Sequence, residues 1–240
     1  MSLHEKIALF VDADNAPADR IEFILSELAT YGSVSIRRAY GNWTKDSLKP
    51  WRDILHEYAV QPIQQFDLTK QKNASDIALA IDVMDVLYTK AVDVICLVSS
   101  DSDFTPVATR AIAEGKRVLG FGERKTPEPF VNACSSFLFL DKPKNIPEQN
   151  SNPEKSKAQQ LKSDTRLIKL LRQAITAVED ENGWARLGPI GSHIKNHTSF
   201  DQRNYGYQKL SDLIKDIDLF NIKRDKGKSY VVQDKRRNKT

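Results

Sequence analysis

Ile7-Ala8-Leu9-Phe10-Val11-Asp12-Ala13-Asp14-Asn15 decides the reading of this chain: five apolar residues end abruptly in two carboxylates and a carboxamide. An unbroken apolar run of this length reads as a strand buried on both faces, as in a parallel sheet covered by helices. In open α/β sheets ligands gather at the carboxyl ends of strands, which is where Asp12 and Asp14 stand. In an extended chain, a rise of about 3.3 Å per residue puts both on one side, roughly 6.5 Å apart.

The same pattern returns in Val92-Asp93-Val94-Ile95-Cys96-Leu97-Val98-Ser99-Ser100-Asp101-Ser102-Asp103-Phe104. Two such strands side by side bring four carboxylates to one edge. Crowded carboxylates repel unless a cation or a shared proton offsets the charge, and hard oxygen ligands suit Mg²⁺ or Mn²⁺. Taken singly, an Asp after a strand is also an ordinary N-cap for the next helix.

Between the two motifs, Ile21, Ile24, Leu25 and Leu28 recur at helical spacing after Pro17, up to Gly32. Ser33 to Tyr40 has strand composition and supplies Arg37 and Arg38 ahead of Gly41-Asn42-Trp43-Thr44. A helix over Ser47 to Tyr58 and a strand over Ala59 to Phe66 follow. A polar loop carrying Lys70 and Lys72 then opens into a helix whose apolar face is expected to be Ile77, Ala80, Ile81, Met84 and Leu87 or Tyr88. Asp76 falls in its first turn, where the helix dipole favours a carboxylate. Asp82 lies off the Asp76 face and reads, with Asp85, as a solvated i, i+3 pair.

Beyond Asp103 come a helix over Pro106 to Ala113, a strand over Lys116 to Gly122, a short helix near Pro129 and a last strand, Phe137 to Leu140. This alternation predicts an α/β fold: a three-layer αβα sandwich with a mostly parallel sheet over residues 1–141. Residues 142–162, rich in Pro, Asn and Lys, read as a flexible linker, with disorder to about residue 160. Residues 163–234 read as three helices and a hairpin, a small α+β winged helix, with helices starting near Gly183 and Asn204. Lys226 and Lys228 stand at the hairpin tip, and 235–240 read as a basic tail.

Charge divides along the same line. Residues 1–141 hold 15 Lys and Arg against 20 Asp and Glu, whereas 142–240 hold 21 against 12. The acidic half carries the aspartate edge and the basic half suits a polyanion. No apolar run is long enough to span a membrane, and Met1 to Lys6 leads into a strand without the regions of a secretory signal, so a cytoplasmic protein with no membrane partner is expected. Cys96 and Cys134 form no CxxC or Cys/His cluster, and His193 and His197 at i, i+4 lack a third ligand. Nothing in the residues calls for an oligomer.

These residues resemble the NYN branch of the PIN-like, metal-dependent ribonucleases, in particular its LabA-like bacterial subgroup. The family's Asp-x-x-Asn is matched by Asp12 and Asn15, its helix-opening motif by Ser75-Asp76-Ile77-Ala78-Leu79-Ala80-Ile81-Asp82, and its Ser-(Gly/Ser)-Asp-x-Asp-Phe by Ser99-Ser100-Asp101-Ser102-Asp103-Phe104. Residues 163–233 are similar to OST-HTH (LOTUS) domains through Gly183-Trp184-x-x-Leu187-x-x-Ile190-Gly191, Tyr205-Gly206-x-x-Lys209-Leu210 and Phe220.

The resemblance implies a metal-dependent ribonuclease of the endonuclease type. Asp12, Asp76, Asp101 and Asp103 would hold Mg²⁺ or Mn²⁺, with Asn15 supporting a carboxylate or phosphate. It also implies RNA, single-stranded at the rim, as partner, and RNA or a protein on the LOTUS domain. Arg37, Arg38, Trp43, Lys70, Lys72, Ser99 and Ser100 are the expected contacts to that strand, joined by Lys226 and Lys228. Asp14 has no assigned role. The alternative is a non-catalytic RNA-binding or adaptor protein with a metal-binding or vestigial acidic site. A haloacid-dehalogenase-type phosphatase, hinted at by Asp12-Ala13-Asp14, lacks room for its lysine element between Ser99-Ser100 and Asp101.

Overall fold

The computed structural model describes residues 5–66, 74–141, 153–225 and 229–239. The chain divides into two compact units, Met1–Lys142 and Pro143–Thr240.

The first unit alternates β1 (Glu5–Asp12), α1 (Ile21–Ala29), β2 (Gly32–Gly41), α2 (Lys49–Ile54), β3 (Gln61–Gln64), α3 (Ala74–Thr89), β4 (Val94–Val98), α4 (Thr105–Ala113), β5 (Arg117–Gly122), α5 (Glu128–Ala133) and β6 (Ser136–Phe139). All six strands run parallel in the order β3-β2-β1-β4-β5-β6. The chain winds outward from β1 to β3, then returns to the other side of β1 and winds on to β6. The crevice where the winding reverses opens above β1 and β4, at their carboxyl ends.

The pleat of β1 shows why a continuous apolar run was required. Ile7, Leu9 and Val11 enter a core built with Ile21, Ile24 and Leu28 of α1 and Trp51 of α2. Ala8 and Phe10 point the other way, into a core built with α3, α4 and α5. Strand β4 does the same, Cys96 and Val98 going to one side and Ile95 and Leu97 to the other. Both faces are covered, and the expected αβα sandwich is the fold observed.

Helix α3 corrects the expected apolar face. It buries Leu79, Val83, Val86 and Leu87 and leaves Ile77, Ile81 and Tyr88 exposed. The helix is apolar on two sides, and periodicity alone does not choose between them. The second helix is also shorter than expected, because Ala59 at φ 50° turns the chain into β3.

The second unit contains α6 (Pro153–Ser163), α7 (Thr165–Val178), β7 (Ala185–Arg186), α8 (Leu187–His197), α9 (Leu210–Ile217), β8 (Phe220–Arg224) and β9 (Tyr230–Asp234), with an antiparallel sheet in the order β7-β9-β8. Helix α6 occupies the second half of the expected linker. Its polar composition hides a helix-forming sequence whose Leu161 is buried with α7 and α9 in one core. Residues 142–152 lie outside the described residues. Gly183, at φ +74°, closes a turn from Asp180 rather than starting a helix, and Ala185–Arg186 pair with β9 before α8 begins. Likewise Gly206, at φ +81°, ends a short 3₁₀ turn and delays α9 to Leu210. The expected basic tail is tied back: Lys235 pairs with Asp218 at 2.5 Å, Arg236 with Asp234 at 2.8 Å, and Arg237 with Glu179.

Candidate active site

Asp12 is the last residue of β1 and is 1% exposed. Its Oδ2 accepts from Ser99 Oγ at 2.7 Å, just beyond the end of β4, and from Asn15 Nδ2 at 2.9 Å. Its Oδ1 is buried with no hydrogen-bond partner among the described residues. Burial raises the pKa of Asp12, and the Ser99 and Asn15 hydrogen bonds pull it back only in part. A buried acceptor left unpaired costs about 1–3 kcal/mol, and more when it is charged, so this oxygen is a strained feature of the fold.

Asp76 stands in the first turn of α3. Its pKa is pushed from 3.8 to about 6, first by burial and then by the charges of Asp12, Asp101, Asp14 and Asp103. Residues from two separated stretches of chain therefore act on one carboxylate. Asp101 caps the 3₁₀ turn Ser102–Phe104 by accepting from Asp103 N at 2.9 Å, and its own N–H donates to Ser99 Oγ at 3.1 Å. The Ser99 hydroxyl is thus the joint between Asp12 and the Asp101 turn. Asp14 accepts from Ser75 Oγ at 3.2 Å and pairs with Lys45 Nζ at 3.5 Å. Lys45 carried no sequence signal, since a lysine four residues past a strand is ordinary surface.

Several expected strand-binding residues are engaged within the fold instead. Arg37 donates to the Tyr58 carbonyl at 2.8 Å. Arg38 donates to both oxygens of Asp82, which is therefore an ion-pair partner rather than half of a solvated pair with Asp85. Trp43 is partly buried, and its indole N–H donates to the Ile63 carbonyl at 3.0 Å. Ser99 is buried on Asp12, and Ser100 Oγ accepts from Glu123 N at 2.9 Å. Phe66, two residues beyond β3, is an aromatic at this rim that the sequence reading passed over; it is 62% exposed. Lys70, Lys72, Lys226 and Lys228 lie outside the described residues. His193 and His197 stack on each other, and His197 Nδ1 lies 2.7 Å from the His193 carbonyl oxygen.

Among the described residues, no three His, Cys, Asp or Glu side chains stand as a finished cation cage. What the described residues provide is a buried oxygen with no hydrogen-bond partner among them, Asp12 Oδ1, and a carboxylate, Asp76, raised first by burial and then by four other acids. That donor set is all hard oxygen and fits a small divalent ion. Among the described residues no helix is long and apolar enough to cross a membrane.

Residues 6–141 match the family model of the NYN domain, and residues 160–232 that of the OST-HTH/LOTUS domain. An uncharacterized protein of Methanocaldococcus jannaschii is 28% identical over 124 residues, covering 49% of this chain and 47% of its own. The chain thus spans about half the length of that curated relative. A crystal structure of a protein of unknown function from Vibrio parahaemolyticus superposes with a TM-score of 0.47 at 21% identity, over 57% of this chain and 94% of that one.

Proposed function

Because this chain belongs to the NYN domain family and carries an OST-HTH/LOTUS domain behind it, we propose that it is a metal-dependent ribonuclease acting on single-stranded RNA. The observation that carries the reading is Asp12: a buried carboxylate at the carboxyl end of β1, one oxygen fixed by Ser99 and Asn15 and the other without a partner among the described residues. Asp12, Asp76, Asp101 and Asp103 would hold Mg²⁺ or Mn²⁺. Such an ion, when bound, supplies an activated water and offsets charge on the attacked phosphate, so the chain needs no nucleophilic side chain.

The chain's own residues do the positioning. Asn15 and Ser99 fix one edge of Asp12, which leaves Oδ1 as the free donor. Asp76 must give up its proton to contribute a full charge; its raised pKa works against that loss, and positive charge bound at the rim would offset it. Lys45, drawn to the rim by Asp14, is a counter-charge for a phosphate, and Phe66 offers a face for a base in the role first expected of Trp43. The second unit binds RNA and brings it to the rim, in this reading. Cytoplasmic action belongs to it as well, supported by Cys96 and Cys134 being free thiols.

Cleavage of labelled single-stranded and structured RNA with Mn²⁺, Mg²⁺ or EDTA tests the proposal. The single-stranded RNA is expected to be cut internally, with either ion and not with EDTA, and not by Asp12→Asn or Asp101→Asn. Cleavage that survives both substitutions rejects it.

A further inference from the structure

Tyr40 belongs to two parts of the rim at once. In β2 it is the register partner of Asp12, and its carbonyl accepts from Ala13 N at 2.9 Å, closing the end of β1. Its side chain is buried, stacks on Phe10 with ring centroids 6.4 Å apart, and donates its hydroxyl to Asp82 Oδ2 on α3. The same carboxylate accepts from Arg38 Nη1, at 2.5 Å on Oδ1 and 2.6 Å on Oδ2. Arg38 and Tyr40 are two apart on β2 and so share one side of the pleat. Asp82 follows Asp76 by six residues, about 9 Å along the helix axis.

We propose that Arg38, Tyr40 and Asp82 form a clamp that sets α3 against β1 and so holds Asp76 opposite Asp12, with Asp82 positioning the helix rather than binding the ion. The inference rests on the reading of the rim as a cation site.

Like charge pushes the first turn of α3 away from the carboxylates at the ends of β1 and β4. Apolar packing through Leu79 and Val83 resists separation, but it is non-directional and leaves the helix free to slide. Among the described residues two hydrogen-bonded ties join α3 to the β1 and β2 side of the sheet and oppose sliding. Ser75 to Asp14 works at the mouth, and Asp82 to Arg38 and Tyr40 works nearly two turns deeper. The deeper tie joins two ionised groups and adds the Tyr40 hydroxyl as a second donor, so it is the stiffer one. Because Tyr40 also closes the end of β1 through its carbonyl, Asp12 and Asp76 share one mechanical reference. This arrangement accounts for the contrast on α3 between Asp76, which has no basic partner among the described residues, and Asp82, which is paired to Arg38.

The test uses the whole chain and reads the Mn²⁺ dissociation constant by electron paramagnetic resonance, beside kcat and KM for single-stranded RNA. Tyr40→Phe removes one oxygen and keeps the ring on Phe10; Asp82→Asn removes the charge. Partners of metal ligands that act from behind them typically change affinity by about 10–100-fold, and a loss in that range is expected for both variants. The kcat should fall in parallel, while KM for RNA stays within about twofold. Asp12→Asn serves as the reference for the site itself. If Asp12→Asn abolishes Mn²⁺ binding while Tyr40→Phe binds the ion like the wild type, the clamp is overturned, whatever happens to melting temperature. If Asp12→Asn leaves Mn²⁺ binding unchanged, the reading beneath it fails as well.

Discussion

Two buried aspartates, one in each unit, face the same problem and meet it differently. Asp234 ends β9 and accepts from Arg172 Nε at 3.0 Å and from Arg236 Nε and Nη2 at 3.0 and 2.8 Å. Burial pulls its pKa upward, but the Arg236 hydrogen bonds and then the charge of Arg172 hold it below the ordinary value. Asp12 is more deeply buried, its neighbours are other acids, and its pKa is raised. Among the described residues no basic side chain relieves it. A carboxylate satisfied by arginines serves the fold, whereas one kept buried without a counter-charge lowers the stability of the fold unless something binds there. Helix α3 repeats the contrast over two turns, with Asp76 raised and Asp82 paired to Arg38.

The sharpest way to break this comparison is to remove each charge. Asp12→Asn is expected to lower RNA cleavage by more than the roughly 100-fold typical of residues one step behind a metal, yet to leave the melting temperature of the ion-free protein unchanged or higher. Removing the hydroxyl that joins the two motifs comes next. Ser99→Ala should reduce cleavage by about 10–100-fold, and it should lower stability by about 1–2 kcal/mol in urea unfolding.

Asp234→Ala should do the reverse of Asp12→Asn. It leaves Arg172 and Arg236 without their acceptor and destabilises the second unit by about 1–3 kcal/mol, read in the same unfolding experiment, while cleavage of a short RNA stays near wild type.

A smaller effect is expected in pH dependence. The folded pKa of Asp76, about 6, lies above its ordinary 3.8, so without divalent ions this group favours folding below that window. That contribution is lost as pH rises through it. Asp234 runs the other way: its lowered pKa contributes stability above the ordinary value that is lost as pH falls through the folded one. Melting curves in EDTA should show Asp76→Asn removing the first slope and leaving the second.

How much of this was legible in the chain depends on how local the signal was. Strands β1 and β4, with their terminal aspartates, were readable because a double-faced core demands an unbroken apolar run, and Asp76 because it opens a helix. The buried face of α3 was not, since Ile77 and Ile81 are as apolar as Leu79 and Val83 and only packing chooses. Helix α6 was hidden by its polar composition. The engagement of Trp43, Ser99 and Ser100 within the fold, and of Arg38 with Asp82, depends on partners 20 or more residues away that no spacing rule reveals.

The most direct measurement of the central claim is anomalous diffraction from crystals of the whole chain soaked in Mn²⁺. The account predicts a peak at oxygen-ligand distance, about 2.1–2.2 Å, from Asp12 Oδ1, with Asp76 and Asp101 turned toward it. A soaked crystal with no ion there, or with Mn²⁺ bound elsewhere and Asp12 Oδ1 still unpaired, would contradict it.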